Sequence, residues 1–235
     1  MALKDELEEA VTTTLRDLWD ERDGRGVPDI DDLALGNAGV KLNATVLYAD
    51  ISASTALVDT FRDTPRFPAE IYKCYLTCAA KIIKAGGGVI RAYDGDRIMA
   101  VFIGDYKNTN AAKAGLKINH AVVRIINPRI EKYYPKVCYR LAHVVGIETS
   151  PIFAARIGVR LDNDLVWVGR AANYAAKLTE ISETNTVFIT ADVFNVLNEE
   201  AKFNPKDKTL MWRPRKWTTM GDMLIHSSTW LLQVD

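Results

Sequence analysis

Neither sign of charge dominates this sequence. Its 235 residues carry 30 Lys and Arg against 30 Asp and Glu, a formal net charge of zero. The bulk electrostatic footprint of a nucleic-acid-binding protein is therefore missing. No apolar run approaches the roughly 20 residues that cross a bilayer, and the opening MALKDELEEAV has no hydrophobic signal core. Cysteine is scarce: Cys74, Cys78 and Cys138 are odd in number and have no metal-ligand partners nearby in sequence. Cys74 and Cys78 fall on one face of a helical passage and are expected as buried apolar residues. Repeats and low-complexity tracts are also missing. The expectation is a cytoplasmic protein of one good-sized domain with an appendage, with no membrane insertion and no nucleic-acid partner.

The residues that are present centre on 41–102. The run KLNATVLYADISAST is an apolar strand that stops on Asp50, followed by helix-starting residues Ser52, Ser54 and Thr55. Further on, Val89–Ala92 and Ile98–Ile103 are strand-like and joined by Tyr93-Asp94-Gly95-Asp96, a hairpin signal. If these strands are neighbours, Asp50 and Asp96 converge on one hard-cation site. Two carboxylates beside helix-terminal N–H groups suit Mg²⁺ or Mn²⁺ carrying a nucleoside triphosphate. The plainer reading makes both acids turn residues.

Before this stretch, Leu3, Leu7, Val11, Leu15 and Leu18 mark an amphipathic helix to about Asp23, broken by Gly24, Gly26 and Pro28. It is expected either to dimerise or to pack on the core. Residues 30–43 read as irregular. Beyond the first strand the pattern predicts helices over Ala53–Phe61 and from Pro68 to about Lys84. A glycine turn at Gly86-Gly87-Gly88 follows, without the Lys-Ser/Thr of a phosphate loop. A helix over Asn108–Asn127 is expected to end at Pro128. Strands follow at Val137–Ile147 and Ile152–Val159, with a turn at Asp162-Asn163-Asp164. A helix is expected over Ala171–Ile181, a strand at Thr186–Ile189, and a helix over Ala191–Glu200 capped by Thr190. Leu210–Trp212 and Thr229–Leu232 are expected closing strands, with Asn204–Lys216 a basic loop. The order predicts α/β (α+β) architecture with a mixed or antiparallel sheet flanked by helices.

Four segments then carry a resemblance. They are Tyr48-Ala49-Asp50-Ile51-Ser52-Ala53-Ser54-Thr55; Gly87-Gly88 through Gly95-Asp96 to Met99-Ala100-Val101-Phe102; Gly146-Ile147-Glu148-Thr149-Ser150-Pro151; and Val168-Gly169-Arg170-Ala171-Ala172-Asn173-Tyr174-Ala175-Ala176-Lys177-Leu178. In this order and spacing they resemble the class III nucleotidyl cyclase catalytic domain. The resemblance implies a ferredoxin-like, palm-type core and a catalytic domain over 41–235 after an N-terminal segment over 1–40. It implies Asp50, Asp96 and the Ile51 carbonyl as ligands of two Mg²⁺ or Mn²⁺ ions, and Asn173 as the residue orienting the ribose. Lys177 stands where the family has Arg and keeps the charge without the bidentate fork. Residues Ser52, Ala53, Ser54 and Thr55, with Arg97, are the expected phosphate donors. The family's sites lie between two chains, so a homodimer with two sites is implied.

The departures bear on the base. Ala92 stands where adenylate cyclases carry a base-reading Lys, and Val166 where they carry Asp or Thr. Tyr48 replaces Phe, and Trp167 adds bulk beside Val166. A site that loses purine-reading groups and gains a phenol and an indole resembles the pyrimidine cyclases of bacterial anti-phage signalling, whose product acts on a cyclic-nucleotide-responsive effector. UTP is favoured over CTP. An adenylate cyclase with altered selectivity residues, an inactive nucleotide-binding or dimerisation module, and a polymerase-like palm are the alternatives. At the triphosphate end, Thr186 replaces an expected Arg, and a Lys expected near Trp217–Gly221 is missing. Arg97, Arg170, Arg213, Arg215 and Lys216 are the available substitutes, and nothing in the sequence fixes which one serves.

Overall fold

The computed structural model describes residues 2–234. Met1 and Asp235, the outer ends of the two expected segments, lie outside the described residues. Helix α1 (Leu3–Arg16) turns its Leu3, Leu7, Val11 and Leu15 stripe away from the body and buries nothing. It ends well before Asp23 because Asp17 is extended and Asn37 Nδ2 donates to the carbonyls of Thr14 and Asp17. The residues expected as its last turn form β1 (Asp20–Asp23), which runs parallel to Ala38–Lys41.

Strand β2 (Ala38–Ile51) therefore begins inside the stretch read as irregular. After it come α2 (Ser54–Thr60), α3 (Arg66–Ala85), β3 (Val89–Asp94) and β4 (Arg97–Phe102). Gly87 (φ +79°) makes the expected turn out of α3, and Gly88 leaves room where a Cβ would stand 2.5 Å from Phe102. Helix α4 (Lys107–His120) does not stop at Pro128. It passes through a widened π-type segment, Ala121–Ile126, into α5 (Asn127–Tyr133), with Pro128 in the first turn. A π segment changes the hydrogen-bond register just where proline lacks its N–H. Cys74 and Cys138 are exposed and Cys78 is half-buried, so the expected burial of the first pair fails; all three are free.

Residues 137–142 are not strand. The buried Asn127 amide takes both the N–H and the C=O of Leu141, at 2.8 and 3.0 Å, and the ladder begins beyond it. Strand β5 (His143–Val159) then runs unbroken along β2, from His143 opposite Ile51 to Ala155 opposite Gly39. The chain reverses at residues 160–161, with Leu161 at φ +77°, so Asp162–Asp164 belong to β6 (Asp162–Val168) rather than to a turn. Helix α6 (Arg170–Leu178), β7 (Thr186–Thr190), α7 (Ala191–Asn195), α8 (Glu199–Lys202), β8 (Arg213–Trp217) and β9 (Met223–Ser228) complete the order. Thr190 caps α7 as expected, its hydroxyl accepting from Val193 N–H. The single helix expected over 191–200 is broken in two. Closing strands form at β8 and β9, not at 210–212 and 229–232.

The sheet has nine strands, ordered β3-β4-β2-β5-β7-β9-β8, with β1 also on β2 and β6 on β5. Only β1–β2 and β5–β7 are parallel. This is the mixed, mainly antiparallel α/β sheet expected. Helices α3 and α4 cover one face through a core that includes Leu47, Ile147, Phe102 and Leu116, while α6 covers part of the other beside Val46, Ala154 and Val101.

A polar chain crosses the larger core. His143 Nε2 lies 3.2 Å from Asn119 Oδ1, and Asn119 Nδ2 donates to the Trp230 carbonyl at 3.2 Å. That fixes the Asn119 oxygen as acceptor and His143 Nε2 as donor, so the Tyr75 hydroxyl, 3.3 Å from His143 Nδ1, donates to it. Burial lowers the His143 pKa from 6.5 to about 3, keeping the ring neutral. Between those values the unfolded chain binds a proton that the folded chain refuses, so this histidine's contribution is present above pH 6.5 and is lost as pH falls toward 3, at up to about 1.4 kcal/mol per pH unit. Asp50 and Glu148, held above the usual carboxylate range mainly by burial, act in the opposite sense. Urea midpoints across this range should therefore show a shallower acid slope in His143→Asn than in the wild-type chain. Equal slopes would remove His143 as the source.

Candidate active site

Strand pairing sets the site. Ala92 of β3, Met99 of β4, Tyr48 of β2 and Gly146 of β5 lie side by side in one row. Two residues further along, the next row is Asp94, Arg97, Asp50 and Val144. A bulge at Arg91, which pairs with Asp29 at 2.5 Å, restores this register after Ile90. The loop between β3 and β4 is Gly95-Asp96, with Gly95 at φ +58° as the primed hairpin turns require. Asp96 is thereby placed one residue from the Asp50–Arg97 pair.

The two acids meet as expected. Burial raises the Asp50 pKa; Arg97 opposes the shift and the neighbouring Asp96 carboxylate adds to it. The Arg97 guanidinium lies 3.0 and 3.1 Å from Asp50 Oδ2 through two nitrogens. It also stands over the Tyr48 ring, 5.9 Å from its centroid. Asp96 Oδ2 is buried and has no hydrogen-bond partner. A desolvated pair of like charges with an orphaned oxygen fits a hard cation well. Among the described residues no cluster of three or more His, Cys, Asp and Glu forms, so further ligands at this spot would be backbone carbonyls such as that of Ile51, the buried last residue of β2, together with phosphate and water.

The turn after β2 differs in detail from its expectation. Ser52 N–H is taken by the Ala142 carbonyl at 2.9 Å, so it is not a free donor. Ala53 adopts the left-handed conformation, φ +56°, and starts α2, leaving Ser54 and Thr55 in its first turn, where amides lack helical partners. Behind the acids stands a group of phenols that the sequence did not single out. Tyr72, Tyr75 and Tyr139 all have raised pKa values, Tyr139 to about 12, through burial first and then through charged or titrating neighbours that include Asp96. The available signal was the Ile71, Tyr75, Ala79 spacing, which marks the buried face of α3 but says nothing about the acids.

Asn173 and Lys177 lie one turn apart on the exposed side of α6. Gly146 lets this helix press onto β5: a Cβ there would stand 2.1 Å from the Ala175 carbonyl oxygen. At the helix start, Arg170 reaches the buried Glu148 at 2.8 Å and also pairs with Asp192. Lys177 faces a cavity lined also by Phe188 of β7, Ile225 of β9 and Arg215 of β8. The strands that line that cavity lie two, three and four places from β2 in the sheet, roughly 10–19 Å by strand spacing, so one chain holds the cavity and the acid pair apart. Tyr48, Ala92 and Trp167 share one apolar cluster with Met99 and Ala172. Strand alternation turns Val166 to the opposite face of β6 from Trp167.

No protein-family model matches the chain. Over 236 residues it is 47% identical to a uridylate cyclase of Xanthomonas perforans, covering all of both chains. It is 49% identical over 233 residues to one of Burkholderia cepacia, covering 98% of each. The chain belongs to the class III nucleotidyl cyclases, in the pyrimidine-cyclase group. Solved cyclases share its fold. The guanylyl cyclase Cya2 superposes with a TM-score of 0.68 at 18% identity, over 83% of this chain and 95% of that one. The adenylyl cyclase CyaB from P. aeruginosa gives 0.66 at 19% identity, over 84% and 96%.

The Arg170 contact anchors the helix of this cyclase that bears Asn173 and Lys177. Arg170→Ala would leave Glu148 buried without its cation; because the Arg170 side chain is itself 45% exposed, solvent screening reduces the loss below that of a fully buried pair, to about 1–3 kcal/mol. Urea unfolding should show that loss, and adding Glu148→Gln to the same chain should recover most of it. Additive losses would mean the two groups do not act as a pair.

Proposed function

We propose that this cyclase converts UTP to 3′,5′-cyclic UMP and pyrophosphate. The observation that carries the reading is the row geometry that sets Tyr48 next to the Asp50–Arg97 pair, with the orphaned Asp96 oxygen beside it. The full-length relatives named as uridylate cyclases support it.

Asp50, Asp96 and the Ile51 carbonyl would hold Mg²⁺ or Mn²⁺, two ions per site. When bound, such ions neutralise the triphosphate and lower the pKa of the ribose 3′-hydroxyl. Asn173 orients the ribose so that its 3′-oxygen points in line at the α-phosphorus. The 3′-oxygen bonds to that phosphorus, its proton leaves to solvent, and the bond to the bridging oxygen breaks as pyrophosphate departs. Lys177 stabilises negative charge growing on the α-phosphate, and positioning with charge neutralisation does most of the work. First-turn groups of α2 at residues 53–55 face phosphate, and Arg97, held by Asp50, reaches phosphate gathered there. Neither His143, which is buried and neutral, nor any cysteine is needed as a nucleophile.

Base selection rests on Tyr48, with Ala92 and Trp167, which share its apolar cluster, giving the walls, while Val166, on the other face of β6, stays outside them. Burial holds the Tyr48 phenol above its ordinary pKa despite Arg97, so it offers an O–H at neutral pH. Uracil O4 accepts that proton; the cytosine amine cannot, although the same oxygen can accept from it. The separation across the sheet between the acid pair and the cavity that Lys177 faces supports a homodimer, with each of two sites taking its acids from one protomer and Asn173 and Lys177 from the other. The N-terminal segment 1–40 is then an accessory to a catalytic domain over 41–235. The product would serve as a second messenger in anti-phage defence, acting on a cyclic-nucleotide-responsive effector.

Purified protein with Mn²⁺ and each of ATP, GTP, CTP and UTP separately should give cyclic UMP as the dominant product by mass. Asp50→Ala and Asp96→Asn should each abolish turnover while leaving the circular dichroism and oligomeric state unchanged. Dominant cyclic AMP or cyclic CMP would overturn the base assignment alone. Full activity in Asp50→Ala would overturn the metal site.

A further inference from the structure

Helix α1 leaves its apolar face bare. Leu3, Leu7, Val11 and Leu15 are exposed along its whole length, and Leu18 is exposed just past its end. The helix is also acidic, with Asp5, Glu6, Glu8 and Glu9 against Lys4 and Arg16. At the helical period Glu6 and Glu8 border the stripe on its two sides. Glu8 lies 3.5 Å from Lys4 in an exposed i,i+4 pair, a contact of small worth. An amphipathic helix of this kind suits an apolar groove with cations at its rim.

The molecule has such a groove. It lies between α3 and the passage from the π-type segment into α5, with a volume of about 800 Å³. Ile71, Ile126 and Ile130 are buried at its floor, and Cys74, Cys78 and Tyr133 open onto it. Arg66, Lys73 and Arg129 line it against one acid, Glu70. That acid is already engaged by the Tyr134 hydroxyl and by Arg66 at 3.4 Å, so the rim keeps an excess of positive charge. Arg66 and Cys78 lie twelve residues apart on α3, as Leu3 and Leu15 do on α1, about 18 Å at the helical rise. Stripe and groove match in length, in polarity and in sign of charge.

We propose that α1 of one copy of this chain docks in the α3–α5 groove of a second copy, with its leucine stripe on the isoleucine floor and Glu6 and Glu8 beside Lys73 and Arg129. Its own groove is out of reach. Asn37 holds the carbonyls of Thr14 and Asp17 at the start of β2. The groove lies toward the other end of that strand, because Tyr75, next to Cys74 on α3, stands 3.3 Å from His143, the residue opposite Ile51. The 14 residues of β2 span roughly 45 Å, and the 14 of α1 about 21 Å. The proposal rests on the homodimer reading and deepens it: reciprocal docking places the same contact on each side of a two-fold axis. It also lays the N-terminal segment against the helix that backs the partner copy's acid pair.

The test uses full-length chains carrying Cys78→Ser and Cys138→Ser, which leave Cys74 as the thiol of the groove. Leu7→Cys, Val11→Cys or Leu15→Cys then places a second thiol on the stripe, and since α1 buries nothing these changes leave the fold intact. The chains are oxidised with copper phenanthroline at a concentration where sedimentation gives the dimer. At least one of the three should give a band of twice the chain mass on a non-reducing gel, and adding Cys74→Ser should abolish it. Glu9→Cys, on the opposite face of α1, should give none. A double-mass band that survives Cys74→Ser would mean that two α1 helices pair with each other. An internal disulfide at single-chain mass would mean that α1 folds onto its own groove, and either result overturns the proposal. A dimer that forms no disulfide also overturns it and leaves the homodimer reading standing, whereas a chain monomeric at every concentration removes both. Charge gives a second readout. Glu6→Lys with Glu8→Lys should cut the disulfide yield severalfold, and adding Lys73→Glu with Arg129→Glu should restore it. Equal yields in all of these chains would overturn the pairing of helix and rim.

Discussion

Everything in this protein hangs on the burial of β2. Its fourteen residues are flanked along most of their length by β4 or β1 on one side and by β5 on the other. The residues from Val46 to Ile51 alternate between two cores, Leu47, Ala49 and Ile51 under α3 and α4, Val46 and Tyr48 toward α6. A strand packed on both faces can carry polar groups only where a partner satisfies them, as Asn108 does for the buried Thr45 hydroxyl at 2.7 Å, or where packing thins out, as at Tyr48 and Asp50. The chemistry is therefore confined to the end of one strand and to the hairpin turn that abuts it.

At that end the electrostatics are deliberately unfavourable. Asp50 loses solvation and feels a second carboxylate, and Arg97 from the opposite strand offsets only part of this. A cation delivered with a triphosphate would relieve that strain, which is the sense in which a desolvated acid pair suits a metal. The phenols of Tyr72, Tyr75 and Tyr139 stand behind it, uncharged at neutral pH. The chain Tyr75, His143, Asn119 and the Trp230 carbonyl ties that region to the C-terminal segment through groups that are all neutral, so the support adds no charge of its own. The other half of the site is built by close approach instead. Gly146 admits α6 onto β5, and the Arg170–Glu148 pair fixes where that helix begins.

Much of this was legible in residues alone. The Asp50 strand and the Asp96 hairpin were visible because apolar runs and Asp/Gly turn chemistry are local signals. The helix bearing Asn173 and Lys177 was visible for the same reason. Errors fell where a distant group overrides a local signal. Pro128 did not end its helix, because a widened turn absorbed the missing N–H. Leu141 was not strand, because the Asn127 amide holds both its backbone groups. Asp20–Asp23 was not helix, because the edge of β2 offered a parallel partner.

The site divides in the same way. By itself the sequence determined the family, and it singled out Asp50 and Asp96, the candidates Asn173 and Lys177 of α6, and the positions Ala92 and Val166, since each depends on residue type at fixed spacing. Only the tertiary structure decided that Arg97 sits on Asp50 and over Tyr48, that Ser52 N–H is already taken, that Val166 and Trp167 face opposite ways, and that Arg215 and Lys216 open beside Lys177 while Arg170 does not. Those are facts of strand register and helix placement, and a side chain's neighbours across a sheet lie dozens of residues away in the chain, beyond the reach of any local pattern.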